Sequence, residues 1–352
     1  MSYLFKLAPS LRRIGVAIAA FALGIAFVAV LAPAAPAEAQ TCTLAPTNGP
    51  VEHTIKSPFP LEHGGLIDVD RTYILYVPPG LTGSAPLMVL NHGANATAEN
   101  IEQNTGWDQY ATDHHFIVAY SRTLVRTDQL PIIGPVIGSI IYPGNVWFFN
   151  KDSFDVAYLK NVVADIKSSY CVDAKRVYNW GFSEGAIMAN RMACDAADVF
   201  AAAVSWEGSD ATVPSASSLD AALKLGLGPV LGLTPLTEWI YHLNVPFSPC
   251  NPSRPIAVGV YQGDQDLFSQ QPVGRQNVYQ WNLRNGCPTE PSTTQTNVGY
   301  WSAIYQYSPC AAGITEVWQT MAGEPHGWPS DPAKAAALRD AQWNYLSSYT
   351  LP

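Results

Sequence analysis

The chain has 352 residues, a formal net charge of −9 and 48% hydrophobic residues. An acidic balance with no basic run excludes an electrostatic nucleic-acid binder and argues against docking on anionic lipid. The length is ample for a large core and suits one α/β enzyme with insertions.

Lys6, Arg12 and Arg13 precede an apolar run from Ile14 to Ala32, and Ala37-Glu38-Ala39 follows as a small-residue site. The pattern reads as a secretory signal peptide over residues 1–39, cut before Gln40. An uncleaved anchor is the competing reading, because the run is nearly long enough to span a bilayer. The breaks at Pro33 and Pro36 favour cleavage, and Ala39-Gln40 before Thr41-Cys42 makes a poor lipoprotein box. Cleavage removes three positive charges and Glu38, which takes the net charge from −9 to −11. The destination is secreted or periplasmic. No later stretch reads as a stable membrane insertion.

Cys42, Cys171, Cys194, Cys250, Cys287 and Cys310 all survive that cut. An even count in an exported chain points to disulfides. Zinc is the alternative, but no C-x-x-C or H-x-x-x-H spacing is present. The connectivity stays open. One pairing, Cys287 with Cys310, is singled out because it would close a polar Thr/Ser-rich segment.

In chain order, residues 40–67 are Pro/Gly-rich and read as an irregular entry to a domain over 68–352. Arg71 to Val77 alternates and stops at Pro78-Pro79-Gly80, a strand and a turn. Pro86 to Asn91 is continuously apolar, as in a strand covered on both faces. The loop His92-Gly93-Ala94-Asn95 follows, then a helix around Trp107 to Tyr110. Phe116 to Tyr120 is a second buried strand. Val156 to Ser168 has helical periodicity, with Val156, Leu159, Val163 and Ile166 on one face. Arg176 to Trp180 reads as a strand and Ala186 to Ala193 as a helix. Strands follow at Phe200 to Trp206, Ile256 to Tyr261 and Thr315 to Met321, with a terminal helix over Pro332 to Tyr349. This alternation implies an α/β fold with a mostly parallel sheet and helices on both faces. Leu124 to Tyr142 and Ser215 to Pro252 are apolar insertions, read either as a lid over the site or as ordinary loop packing.

Between the Arg176 strand and the next helix stands Gly181-Phe182-Ser183-Glu184-Gly185. Strand, G-x-S-x-G and helix together describe a nucleophile elbow. The glycines allow a tight turn that lifts the Ser183 hydroxyl clear of the sheet and sets the Glu184 amide beside it. A serine hydroxyl is a weak nucleophile, so it needs a general base and an orienting acid. In the α/β-hydrolase fold the order along the chain is nucleophile, acid, histidine. Only His242 and His326 follow Ser183. His326 lies on a loop after the last strand, at the sheet edge where such folds hold ligands. His242 sits in an apolar insertion and reads as a packed residue. The acid belongs on the loop after Tyr261, where Asp264 and Asp266 both stand; Asp210 is a weaker alternative. The oxyanion hole takes the Glu184 amide and one from the His92 loop, with Ala94 preferred over Asn95. His92 reads as a loop residue and not a second base. No metal or organic cofactor is implied.

The chain resembles the secreted α/β-hydrolase esterases grouped as polyhydroxybutyrate depolymerase and feruloyl esterase-like proteins. The likeness runs from about Thr72 to Tyr349. It rests on Tyr76-Val77-Pro78-Pro79-Gly80, Asn91-His92-Gly93, Phe154-Asp155-Val156, Asp198-Val199-Phe200, Asn285-Gly286-Cys287 and His326-Gly327-Trp328-Pro329. That family has His-Gly-x-x-Asp at the acid loop. Gln262-Gly263-Asp264-Gln265-Asp266 keeps the spacing and replaces the histidine, so the resemblance assigns Asp266 as acid. It also pairs Cys287 with Cys310. It implies a serine esterase that works through an acyl-enzyme on a polymeric, aryl or alkyl ester, as a polyhydroxyalkanoate depolymerase or feruloyl-type esterase. Trp147, Phe148, Phe149 and Trp328 read as an aromatic wall for such a substrate, or alternatively as core. The competing function readings are a catalytically silent secreted binding protein, and a lipase, protease or acyltransferase on the same triad.

Overall fold

The computed structural model describes residues 42–60, 65–124, 147–212 and 249–352. Cys42–Pro352 forms one compact unit. The signal segment, His242 and almost all of both apolar insertions, read either as a lid or as ordinary loop packing, lie outside the described residues.

Ten strands form one sheet: β1 (Val51–Pro60), β2 (Leu66–Tyr76), β3 (Ala85–Asn91), β4 (Ile117–Ser121), β5 (Val172–Phe182), β6 (Ala202–Trp206), β7 (Ala257–Gly263), β8 (Thr293–Val298), β9 (Trp301–Tyr307) and β10 (Glu316–Met321). Their spatial order is β1-β2-β4-β3-β5-β6-β7-β10-β9-β8. The centre, β4 through β10, is parallel. Antiparallel pairs flank it, β1–β2–β4 on one side and β10–β9–β8 on the other. The helices are α1 (Ala98–Thr105), α2 (Trp107–His114), α3 (Phe154–Ser169), α4 (Glu184–Asp195), α5 (Gln271–Arg284) and α6 (Pro332–Ser347).

All seven residues of β3 are buried, because helices cover both faces of the central sheet. Leu87 and Val89 pack toward one layer with Leu159, Val163 and Met188. Met88 and Leu90 point the other way, to a layer holding Trp107, Trp343 and Leu346. The period-2 alternation of a strand thus feeds two cores from one apolar run. Local chemistry starts the helices: Ser153 accepts from the Val156 amide at the head of α3. Asp331 caps α6, with Pro332 in its first turn.

The structure corrects the irregular 40–67 segment. Val51–Pro60 is an edge strand, paired with β2 from Val51 opposite Leu75 to Pro60 opposite Leu66. Ile55 and Ser57 face inward while Glu52, Thr54 and Lys56 face solvent, and Pro58 and Pro60 are tolerated at a sheet edge. Four further elements were not expected, strand β9 among them. Helix α5 has no apolar stripe; it buries Asn277 and Asn282 beside Val278 and Trp281. Strand β8 is exposed at every residue, so it carries no alternation to read. Helix α1 is held by a capping box between Thr97 and Asn100.

Three disulfides link Cys42–Cys171, Cys194–Cys250 and Cys287–Cys310. They mark a chain that matures in an oxidising compartment. No helix among the described residues is long and apolar enough to cross a membrane.

Candidate active site

Strand β5 ends at Phe182 and α4 begins at Glu184, so the whole turn is Ser183. Its backbone has φ 55° and ψ −119°, a conformation that costs a non-glycine residue on the order of 1–3 kcal/mol. The surroundings hold it there. The Ser183 amide donates to the Trp206 carbonyl at 2.9 Å, and the Ser183 carbonyl accepts from Ala186 at 2.9 Å. A Cβ on Gly181 would lie 1.9 Å from the Gly185 carbonyl oxygen, so strand and helix can approach this closely only with glycine at that position.

His326 follows β10 on a loop at the same end of the sheet. Its Nε2 lies 3.0 Å from Ser183 Oγ and its Nδ1 lies 2.8 Å from Asp266 Oδ2. Asp266 is 4% exposed, and its other oxygen accepts the amides of Phe268 and Ser269 at 2.7 and 2.8 Å. Those two bonds hold the carboxylate in one orientation toward the ring. The imidazole also packs near two phenyl rings, 5.1 Å from Phe182 and 5.2 Å from Phe268. Phe268 is 45% exposed and Leu267 58%, so an apolar pair stands beside the histidine.

The other candidates separate cleanly. Asp264 Oδ1 accepts the Gly323 amide at 2.7 Å, which ties the acid loop to the end of β10. Asp210 pairs with Arg284 and caps Thr212. His92 is 1% exposed; its Nδ1 donates to the Gly93 carbonyl at 2.8 Å, and burial pushes the imidazole down to about 4. It is a neutral loop residue.

The loop that carries Ala94 is a turn closed by the Ala96 amide on the Gly93 carbonyl at 3.2 Å, with Asn95 at φ 58°. Gly93 packs against the nucleophile: a Cβ on it would lie 3.1 Å from Ser183 Cβ. Glu184 opens α4, so its amide belongs to the unpaired, positive end of that helix. Its side chain turns away, accepts the Trp147 amide at 3.2 Å, and is pushed up to about 8 by burial.

Of the four aromatics read as wall or core, Trp147 is buried and Phe148, Phe149 and Trp328 are half-buried. Trp147 is 3% exposed and donates to the His92 carbonyl at 2.8 Å. Phe148 packs on Phe154, Phe149 packs against the core, and Trp328 stacks edge-on with Trp180.

Sequence reasoning missed Glu207, the residue after β6. It is 2% exposed, and its Oε2 lies 3.3 Å from His326 Nδ1. The signal was an acidic residue at a strand's C-terminal end, one step past Trp206. Glu207, Asp266 and His326 offer ligand atoms within 4.8 Å of one another. The two carboxylates also accept backbone amides, Glu207 from Gly263 and Gly327 and Asp266 from Phe268 and Ser269.

The strand order, the elbow and the two-sided helix layers define an α/β-hydrolase. A solved acetyl xylan esterase from Aspergillus awamori shares this fold, with a TM-score of 0.52 at 16% identity over 78% of this chain and 93% of that one. No family model matches the chain. It is similar to poly(3-hydroxyalkanoate) depolymerase C of Paucimonas lemoignei, at 26% identity over 74% of this chain and 59% of that protein. It is equally similar to feruloyl esterase B of Piromyces equi, at 26% identity over 80% of this chain and 46% of that protein. Both relatives fall in the depolymerase and feruloyl esterase group that the sequence motifs resemble. The chain spans about half the length of these two relatives.

Proposed function

We propose that this chain is an exported serine esterase that hydrolyses carboxylic esters through an acyl-enzyme. The observation that carries the reading is the unbroken hydrogen-bond path Ser183–His326–Asp266, at 3.0 and 2.8 Å, on a strained elbow. In this reading His326 Nε2 takes the hydroxyl proton as Ser183 Oγ attacks the ester carbonyl. Asp266 holds Nδ1–H and stabilises the imidazolium that forms. The Glu184 and Ala94 amides receive the oxyanion, and each such donor lowers the barrier by on the order of 3 kcal/mol. The intermediate collapses, His326 returns the proton to the leaving alcohol, and water repeats the sequence on the acyl-enzyme. No step calls for a metal or cofactor.

The substrate class follows from the relatives and from the rim. The similarity to a polyhydroxyalkanoate depolymerase and a feruloyl esterase, with Leu267 and Phe268 exposed beside His326, supports a polymeric or aryl ester. Three disulfides and the N-terminal pattern of residues 1–39 support export with removal of a signal peptide, to the periplasm or beyond.

The test is fluorophosphonate labelling of the mature protein together with p-nitrophenyl ester turnover. Native protein labels and turns over. Ser183→Ala loses the label and on the order of 10³-fold or more of the rate while remaining folded. Labelling that persists in Ser183→Ala would refute the reading.

A further inference from the structure

Two carboxylates face the same imidazole nitrogen. Asp266 Oδ2 lies 2.8 Å from His326 Nδ1, and Glu207 Oε2 lies 3.3 Å from it. Glu207 is built into the site at a cost. Its backbone is left-handed, with φ 60°, and its side chain is 2% exposed. The Glu207 amide donates to the Tyr261 carbonyl at 2.8 Å, which anchors the residue to β7. Its Oε1 accepts the Gly263 amide at 3.1 Å, where the acid loop begins. Its Oε2 accepts the Gly327 amide at 2.7 Å, one residue past the histidine. One side chain therefore ties the acid loop to the histidine loop.

The charged and titratable groups facing Glu207 are His326, Asp266 and Glu324, and Glu324 is itself paired with Lys334. Burial first, and the Asp266 charge second, hold the Glu207 carboxyl well above the usual carboxylate range. Two carboxylates this close do not both ionise easily. In the native protein Asp266 makes the shorter contact with Nδ1, and Glu207 bridges the two loops. Neutralising Asp266 lifts one of the two restraints on ionising Glu207, whose oxygen is already within reach of Nδ1.

We propose that Glu207 is a positioning residue and reserve acid for His326. It holds the imidazole loop against the acid loop, and it becomes the Nδ1 partner when residue 266 carries no charge. On ionising it releases its proton to solvent, and the bond formed is Nδ1–H to Oε2. This inference rests on the acyl-enzyme reading above.

The experiment compares native protein, Asp266→Asn, Glu207→Gln and the double variant. The readouts are kcat/KM on p-nitrophenyl acetate and the rate of fluorophosphonate labelling, from about pH 5 to about pH 9. Glu207→Gln is expected to cost at least about tenfold more in the Asp266→Asn background than in the native one. Asp266→Asn is expected to show a rising alkaline limb that native protein lacks and that the double variant loses. A merely structural Glu207 would give the same factor in both backgrounds and no such limb, and either result overturns the proposal. If Glu207→Gln does not fold, the Asp266→Asn profile decides alone, because it needs no change at residue 207. Ser183→Ala separates the two layers. If it still labels, the acyl-enzyme reading falls and takes this one with it. If it loses the label while the two factors are equal, only the role of Glu207 falls.

Discussion

Gly185 stands so close to the end of β3 that a Cβ on it would lie 2.2 Å from the Asn91 carbonyl oxygen and 2.4 Å from that of His92. Helix α4 therefore rests directly on the backbone that leads into the loop of His92 to Asn95. Gly185→Ala is expected to force these segments apart. It should lower the melting temperature by several degrees, since about 1 kcal/mol shifts a domain of this size by roughly 2–4 °C. Ester turnover should fall more steeply than stability, because a small displacement of reacting groups costs on the order of 10²-fold. Thermal melts and p-nitrophenyl ester assays on the same preparation check both.

The two aspartates of the acid loop separate by partner. Asp264 accepts the Gly323 amide and Asp266 faces His326. Asp264→Asn keeps an acceptor oxygen and should hold kcat/KM within about threefold of native. Asp266→Asn should lower it by on the order of 10²-fold or more, chiefly through kcat. Steady-state kinetics of the pair would contradict the assignment if the order were reversed.

His92 sets an acid limit on stability. Burial lowers its proton affinity from 6.5 to about 4 in the folded chain. The unfolded chain then binds the proton more tightly, so the contribution of His92 is complete above about pH 6.5 and drains as pH falls toward about 4. A proton on Nε2 would also face the Thr123 amide, which points at that nitrogen from 3.4 Å. Between about pH 7 and about pH 4 the melting temperature of native protein should fall more than that of a folded His92→Gln variant. Parallel curves for the two would rule His92 out as the cause.

Cys287–Cys310 closes the hairpin of β8 and β9 onto the end of α5. A loop of this length is stabilised by about 3 kcal/mol when bridged. Cys287→Ser with Cys310→Ser should raise amide exchange first in Thr293–Val298, the outermost and fully exposed strand. Exchange that rises first in β3 or β5 would show that the bridge supports the whole sheet instead.

The elements that read clearly are those with strong local signals. Strands β3, β4, β6 and β7 are buried runs, and α3 has a stripe of Val156, Leu159, Val163 and Ile166. Helix α5 escaped because its inward face mixes Asn277 and Asn282 with Val278 and Trp281. Asn277 Nδ2 donates to Ser205 Oγ and the Gly208 carbonyl, partners some seventy residues away that no local pattern reveals. Strand β1 escaped because its Pro and Gly neighbours resemble a loop, while its pairing with β2 is set by the sheet. The Trp147 ring reads as wall or as core, and its burial together with its bond to the His92 carbonyl decides for core.

The sequence by itself determined the elbow and the strand and helix alternation, because each follows from backbone sterics and hydrophobic period within a few residues; the order serine–acid–histidine comes from the fold that those elements imply. The family resemblance names Asp266 over Asp264, and the structure turns that carboxylate to the imidazole; tertiary structure alone decided that Glu207 joins it and that Asp210 is held elsewhere by Arg284. Those choices depend on the direction of side chains that meet across 60 residues of chain or more. Direction at such range is a product of packing, which no short window of sequence contains.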